Sequence, residues 1–184
     1  MRQVDLAAFD NSWYKPGRPL MIQLLWYFFG SPLGEGKLLP GSFHRGLLLR
    51  AFGAAVGKGV VIKPGVRVKY PWKLKIGNHS WIGEDAWIDN LGDVVIGDNV
   101  CISQGVYVCT GSHDMADPKF GLVVKGVEFR PGSWAGAFSV IYPGVVLEEG
   151  GIAAGGSVVR RNVGAWEVHG GNPARQVASR KLRE

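Results

Sequence analysis

The sequence predicts a mainly β protein built as a parallel β-helix of about five coils, with an N-terminal helical cap and a C-terminal tail. Three observations predict it. From residue 60 onward a branched aliphatic recurs every six residues: Ile62, Val68, Ile76, Ile82, Ile88, Ile96, Ile102, Val108, Phe129, Ala135, Ile141, Leu147, Ala153 and Val159, eleven of fourteen being Ile, Val or Leu. Four positions after each stands a small residue or valine, Ser112 and Gly92 included, with Trp72 the exception. Finally, 28 glycines are scattered through the chain without a collagen period, about twice the usual frequency of roughly 7%. A six-residue period suits neither a simple strand nor a helix. It suits a chain that turns a corner every six residues and stacks every third marked side chain above its predecessor.

The spacing also locates the insertions. Steps between marked residues run 6, 8, 6, 6, 8, 6, 6, 21 and then 6 throughout. The three long steps lie three repeats apart, so all three emerge at one corner of the prism. The longest, residues 109–128, contains CTGSHD, Cys109 to Asp114. A long loop on a rigid scaffold is a usual home for function. Taken alone, His113 there fits a catalytic base, half of a cysteine–histidine pair, a metal ligand or an ordinary loop residue.

Residues 1–58 do not repeat and form an N-terminal strap and helical cap. Leu20, Leu24 and Phe28 with Met21, Leu25 and Phe29 mark one apolar helix face, which Gly30, Pro32 and Gly34 are expected to end. His44 to Phe52 predicts a second short helix leading into the first coil. Capping the open end of the β-helix is one role for this pair. Peripheral membrane contact is the other, because Trp26, Tyr27 and Phe28 stand among Lys15, Arg18 and Arg45 like interfacial anchors. The β-helix spans 59–165, and the basic segment 166–184 follows as a solvated tail.

Composition excludes several classes. Lys and Arg number 21 against 15 Asp and Glu, a balance suited to phosphorylated cofactors or membrane surfaces; no nucleic-acid motif accompanies it. Cys101 and Cys109 make neither a disulfide framework nor a zinc pairing. The start lacks a secretory pattern, and the longest apolar run, Leu20 to Phe29, is short of the ~20 residues of a membrane span. A cytoplasmic protein is expected, possible contact with the membrane's inner face aside.

The repeat, the histidine-bearing loop and GNPA (Gly171 to Ala174) resemble the left-handed β-helix, or hexapeptide-repeat, acyltransferases. Phe9 to Pro19, Ile62 to Gly77, Trp81 to Gly92 and Cys101 to Asp114 are similar, more narrowly, to the colanic-acid-type polysaccharide O-acetyltransferases. That resemblance implies the left hand of the coil, against the usual crossover rule. It also implies a homotrimer with active sites between neighbouring prisms, acetyl-CoA as donor, and direct transfer to a nucleotide-linked or lipid-linked sugar.

It further implies roles for named residues. His113 matches the catalytic histidine, and a neutral imidazole suits proton removal from a sugar hydroxyl. The acceptor-site asparagine of the family falls on Asp85, a departure. Asn90, in an inserted step at the loop's corner, is a second acceptor candidate, and Trp134 matches a tryptophan near the active site, whose aromatic face suits either stacking on a sugar or packing between subunits. Asp114 either orients the imidazole or forms a turn. Ala137 and Gly155 fall where backbone N–H groups hold the pantetheine arm, with Gly136 keeping the wall low. Arg160 and Arg161 replace a Thr-Lys pair and, with Arg175, suit the phosphates of coenzyme A. A thiolate at Cys109 would instead give a covalent route. A zinc site of the carbonic anhydrase branch needs three converging histidines, which the loop lacks, so no metal is expected. N-acetylation of an amino sugar and a non-catalytic scaffold are the alternative functions.

Overall fold

The computed structural model describes residues 3–38 and 41–183. Residues 55–163 wind into a three-walled prism of parallel strands. Sheet A stacks Ala55–Val56, Leu74–Ile76, Val94–Ile96, Val127–Phe129 and Val146–Leu147. Sheet B stacks Val61–Ile62, Trp81–Ile82, Cys101–Ile102, Trp134–Ala135 and Ile152–Ala153. Sheet C stacks Arg67–Val68, Trp87–Asp89, Tyr107–Cys109, Val140–Ile141 and Val158–Val159. Each wall thus has five of these parallel strands, and a partial sixth turn follows where Val163 bridges Leu147 and Glu167–Gly171 joins sheet B, so about six turns stand against the five predicted.

Strands this short hold because one inward side chain per strand joins a continuous axial core while the backbone bonds to the coils above and below. All fourteen predicted inward residues are at most 5% exposed. In-register ladders carry them: Ile62 pairs with Ile82, and Ile82 with Ile102. Most small companions sit inside the corners, Ser80, Ala86, Ser139 and Ser157 among them. Ser112 departs from the expectation and is exposed, because the chain has already left the prism there. The three insertions all leave at the C-to-A corner, as the spacing requires.

The N-terminal helix differs from the expected one. It runs Leu20–Leu25, passes through a π turn at Trp26–Gly30, and continues as Ser31–Glu35. Pro32 lies in the first turn of the last segment, where its missing N–H costs little, and the π turn absorbs the register change. Gly30 serves packing: a Cβ there would stand 2.3 Å from the Trp26 ring. Trp26 is buried, packs on Phe52 at 5.0 Å, and donates from Nε1 to the Val68 carbonyl at 2.9 Å. That indole, with Leu49 of the helix Phe43–Ala51, closes the first coil. The expected capping face of the first helix points elsewhere: Leu20, Met21, Leu24, Leu25, Phe28 and Phe29 are all exposed. Arg45, expected as an interfacial cation, is buried and donates to the Gly34, Gly36 and Gly41 carbonyls.

The far end also differs. Residues 166–180 are not a loose tail: Glu167–Gly171 extends sheet B, and Ala174–Ser179 pairs antiparallel with it across the GNPA turn. Arg180 fastens the end by donating to the Gly132 carbonyl at 2.7 Å.

Candidate active site

Counting one coil back from Cys109, through steps of six, six and eight, lands on Asp89, and the strands pair those two residues side by side. From this edge of sheet C the long insertion leaves as an antiparallel hairpin, Gly111–His113 against Leu122–Val124. Its tip is shaped by aspartates. Asp114 Oδ1 accepts from the Ala116 N–H, and Asp117 accepts from the Lys119 and Gly121 N–H groups. Asp114 is therefore the turn residue of its two expected roles. Phe120 takes a left-handed φ of 55°, which sets its ring and carbonyl toward His113.

The histidine is held on three sides. Its ring stacks on Phe120 at 4.1 Å and 11°, Phe9 of the strap meets it edge-on at 5.6 Å, and Nδ1 lies 2.8 Å from the Phe120 carbonyl. A carbonyl only accepts, so Nδ1 carries the hydrogen and Nε2 keeps its lone pair. The strap is tied to the same hairpin by the Asp5 N–H, 2.8 Å from the Pro118 carbonyl. Cys109 is not paired with the imidazole: its thiol donates to the Gly111 carbonyl at 2.9 Å.

The expected acceptor residues separate. Asp85 occupies the left-handed corner position of its coil (φ 56°), exposed and ion-paired with Lys37 at 3.1 Å. It lies at the B-to-C corner, whereas His113 springs from the C-to-A corner, so the chain does not bring the two together. Asn90 is fully buried; its amide bonds the Tyr70 N–H at 2.9 Å and the Tyr70 carbonyl at 2.7 Å. It fastens the inserted step and is closed to any acceptor. Trp134 lies on the outer face of sheet B, partly exposed, its Nε1 donating to Ser103 Oγ at 2.9 Å.

The carboxylate that sequence reasoning passed over is Asp89. It holds Lys69 at 3.0 Å and accepts from Tyr107 Oη at 2.9 Å. Burial, then bonding to Cys109 and Asp89, pushes the Tyr107 phenol up and keeps it protonated. With Arg67, Lys69, Tyr70 and Trp87, Asp89 lines a cleft of about 390 Å³ between sheet C and the N-terminal helix. The arginine of that cleft lies over the Trp87 ring at 4.3 Å. The signal that would have found Asp89 is the coil length of 20 residues read back from Cys109.

On the donor side, Ala137 and Gly155 stand on successive coils at the B-to-C corner. Neither N–H donates to a carbonyl among the described residues. Lower on the same corner Glu84 and Gln104 take the equivalent place, so the upper coils differ in having side chains small enough to leave those donors reachable. Gly136 is explained otherwise than expected: a Cβ there would meet Gly155 N at 2.6 Å and the Ala153 carbonyl at 2.9 Å, so the glycine serves coil stacking. Arg160 and Arg161 are exposed at the end of the last strand of sheet C, Arg160 lying 5.2 Å from the Tyr142 ring. Arg175 stands in the terminal hairpin beside Gly170. Arg160 and Arg161 thus follow sheet C, whereas Arg175 belongs to the hairpin added to sheet B.

The chain is 39% identical over 176 residues to WcaF of Escherichia coli strain K12, named for acetyl transfer in colanic acid biosynthesis, covering 92% of this chain and 93% of that one. The fold matches a maltose O-acetyltransferase from Clostridium difficile 630, with TM-score 0.79, 21% identity and coverage of 89% and 90%. It also matches a hexapeptide-repeat acetyltransferase of Vibrio cholerae O1 biovar eltor complexed with acetyl coenzyme A, with TM-score 0.72, 23% identity and coverage of 88% and 85%. No family model matches the chain. The coil is thus the left-handed one, and the chain belongs to the colanic-acid-type acetyltransferases of the hexapeptide-repeat family.

Proposed function

We propose that this protein transfers an acetyl group directly from acetyl-CoA to a hydroxyl of an exopolysaccharide sugar, with His113 as general base. The observation that carries the reading is the Nδ1 contact to the Phe120 carbonyl, which leaves Nε2 as the available base. Nε2 takes the hydroxyl proton as the sugar oxygen bonds to the thioester carbon. The carbon–sulfur bond then breaks, and the proton passes to the departing sulfur. Positioned general-base catalysis of this kind contributes about 10²–10⁴-fold.

The residues present fit the donor. The N–H groups of Ala137 and Gly155, which donate to no carbonyl among the described residues, suit the amides of an extended pantetheine arm, and Arg160, Arg161 and Arg175 suit its phosphates. Because the histidine and these donors stand on different edges of one prism, a neighbouring subunit completes each site, in a homotrimer. Asp89 replaces Asp85 as the acceptor-binding carboxylate. Its place beside Cys109, at the root of the hairpin, supports that role.

Initial-rate kinetics test the reading. His113→Ala is expected to lose about 10²–10⁴-fold in kcat with its fold intact. Cys109→Ser is expected to keep its activity and to show intersecting double-reciprocal lines, the pattern of a ternary complex. Parallel lines together with an inactive Cys109→Ser would replace direct transfer by an acetyl-cysteine route.

A further inference from the structure

The helix Leu20–Glu35 presents a face that nothing among the described residues covers. Leu20, Met21, Leu24, Leu25, Phe28 and Phe29 form a continuous apolar groove, each 42–72% exposed. No charged side chain occurs from Pro19 to Gly34. Contiguous apolar surface of this kind marks a contact site.

Charge identifies the occupant. Residues 15–75, which build the helices and the first coil, contain eleven Lys and Arg and a single acidic residue, Glu35. The remaining residues reverse the balance, with ten Lys and Arg against fourteen Asp and Glu. Lys15, Arg18, Arg50, Lys58 and Lys63 are all exposed, as is Lys37 beside Asp85. Glu35 is bonded to Ser31 Oγ. A second copy seated on the apolar face would bring two like-charged ends together, whereas a surface of phosphate headgroups complements both the apolar strip and its basic surroundings.

We propose that the helix Leu20–Glu35 docks this end of the prism on an anionic bilayer surface. The apolar side chains enter the interface, and the Lys and Arg around them meet headgroup phosphates. Among the described residues no helix is long and apolar enough to cross a membrane, so the segment lies along the surface. Leu20 and Leu24 line both the apolar groove and the cleft that contains Asp89. Docking therefore holds that cleft at the membrane plane.

Vesicle flotation of the full-length protein tests this independently of catalysis. The wild type is expected to float with phosphatidylglycerol–phosphatidylcholine vesicles at low salt. With phosphatidylcholine alone, or at high salt, partitioning is expected to fall about tenfold or more. The double variant Leu24→Glu/Phe28→Glu, both side chains being exposed, and the charge-reversed Lys15→Glu/Arg18→Glu are expected to lose binding by at least about tenfold. Size-exclusion chromatography should show their assembly unchanged. His113→Ala is expected to float like the wild type, which separates docking from the acetyl-transfer reading. Failure of the wild type to bind anionic vesicles would overturn the proposal. Dissociation of the assembly by Leu24→Glu/Phe28→Glu would overturn it too, by showing that a second copy covers the face.

Discussion

His113 is oriented by backbone and aromatic groups, with the Phe120 carbonyl doing what a carboxylate does in many histidine bases. The acidic group of the site is Asp89, engaged with Lys69 and Tyr107. If Asp89 binds acceptor hydroxyls, Asp89→Ala should raise the acceptor KM by about tenfold or more, in line with the ~1.5–3 kcal/mol of a charged hydrogen bond. The KM for acetyl-CoA should stay unchanged. Equal changes in both constants would show that Asp89 only supports the fold. The residue was legible in principle: strand register makes position 89 the neighbour of Cys109, and coil length predicts that register. Asp85 drew the family asparagine instead, yet its left-handed φ of 56° marks it as a corner residue, one coil above Gly65 at φ 76°.

At the scale of elements, the extruded hairpin depends on how firmly its corner is fastened. Asn90 and Thr110, both fully buried, do that work on successive coils. Asn90 bonds both backbone groups of Tyr70, while Thr110 Oγ1 accepts from the Gly92 N–H at 2.9 Å and donates to the Asp89 carbonyl at 3.1 Å. Asn90→Ala strands the Tyr70 N–H, while the Tyr70 carbonyl keeps its bond from the Lys73 N–H at 3.0 Å, so a loss of about 1–3 kcal/mol of stability is expected, read by denaturant unfolding at fixed protein concentration. A variant as stable as the wild type would return Asn90 to the list of binding residues. The helical cap teaches the converse lesson. Its apolar stripe was plain in sequence, but the direction it faces depends on Trp26 reaching the Val68 carbonyl, a contact across 42 residues that periodicity does not encode.

At the scale of the molecule, His113 and the Ala137–Gly155 corner stand on different edges of the prism, so on the proposed reading activity would be a property of the assembly. Mixing two inactive variants checks this. His113→Ala subunits and subunits whose groove is blocked by Gly155→Trp should each be inactive alone. Co-expressed and co-purified, they should regain a measurable fraction of wild-type activity, because some interfaces then pair an intact histidine with an intact groove. No recovery in a verified mixed oligomer would place the whole site within one subunit. The core sets a separate expectation. Ile102 is fully buried midway along the axis, and Ile102→Ala should cost about 2–5 kcal/mol, a loss that thermal unfolding would register without any change in the KM of surviving enzyme.

The amino-acid sequence alone determined the prism, its three walls, its coil number to within one turn and the corner from which the histidine loop leaves. All of these follow from a period of six and its interruptions, and a repeat that buries one side chain per step writes its geometry into local spacing. Tertiary structure decided which nitrogen of His113 is available, which aspartate stands beneath the hairpin, that Asn90 is sealed, and that the apolar helix face looks outward. Those outcomes rest on contacts between segments far apart in the chain, where side-chain direction and burial are set by what packs from the other side.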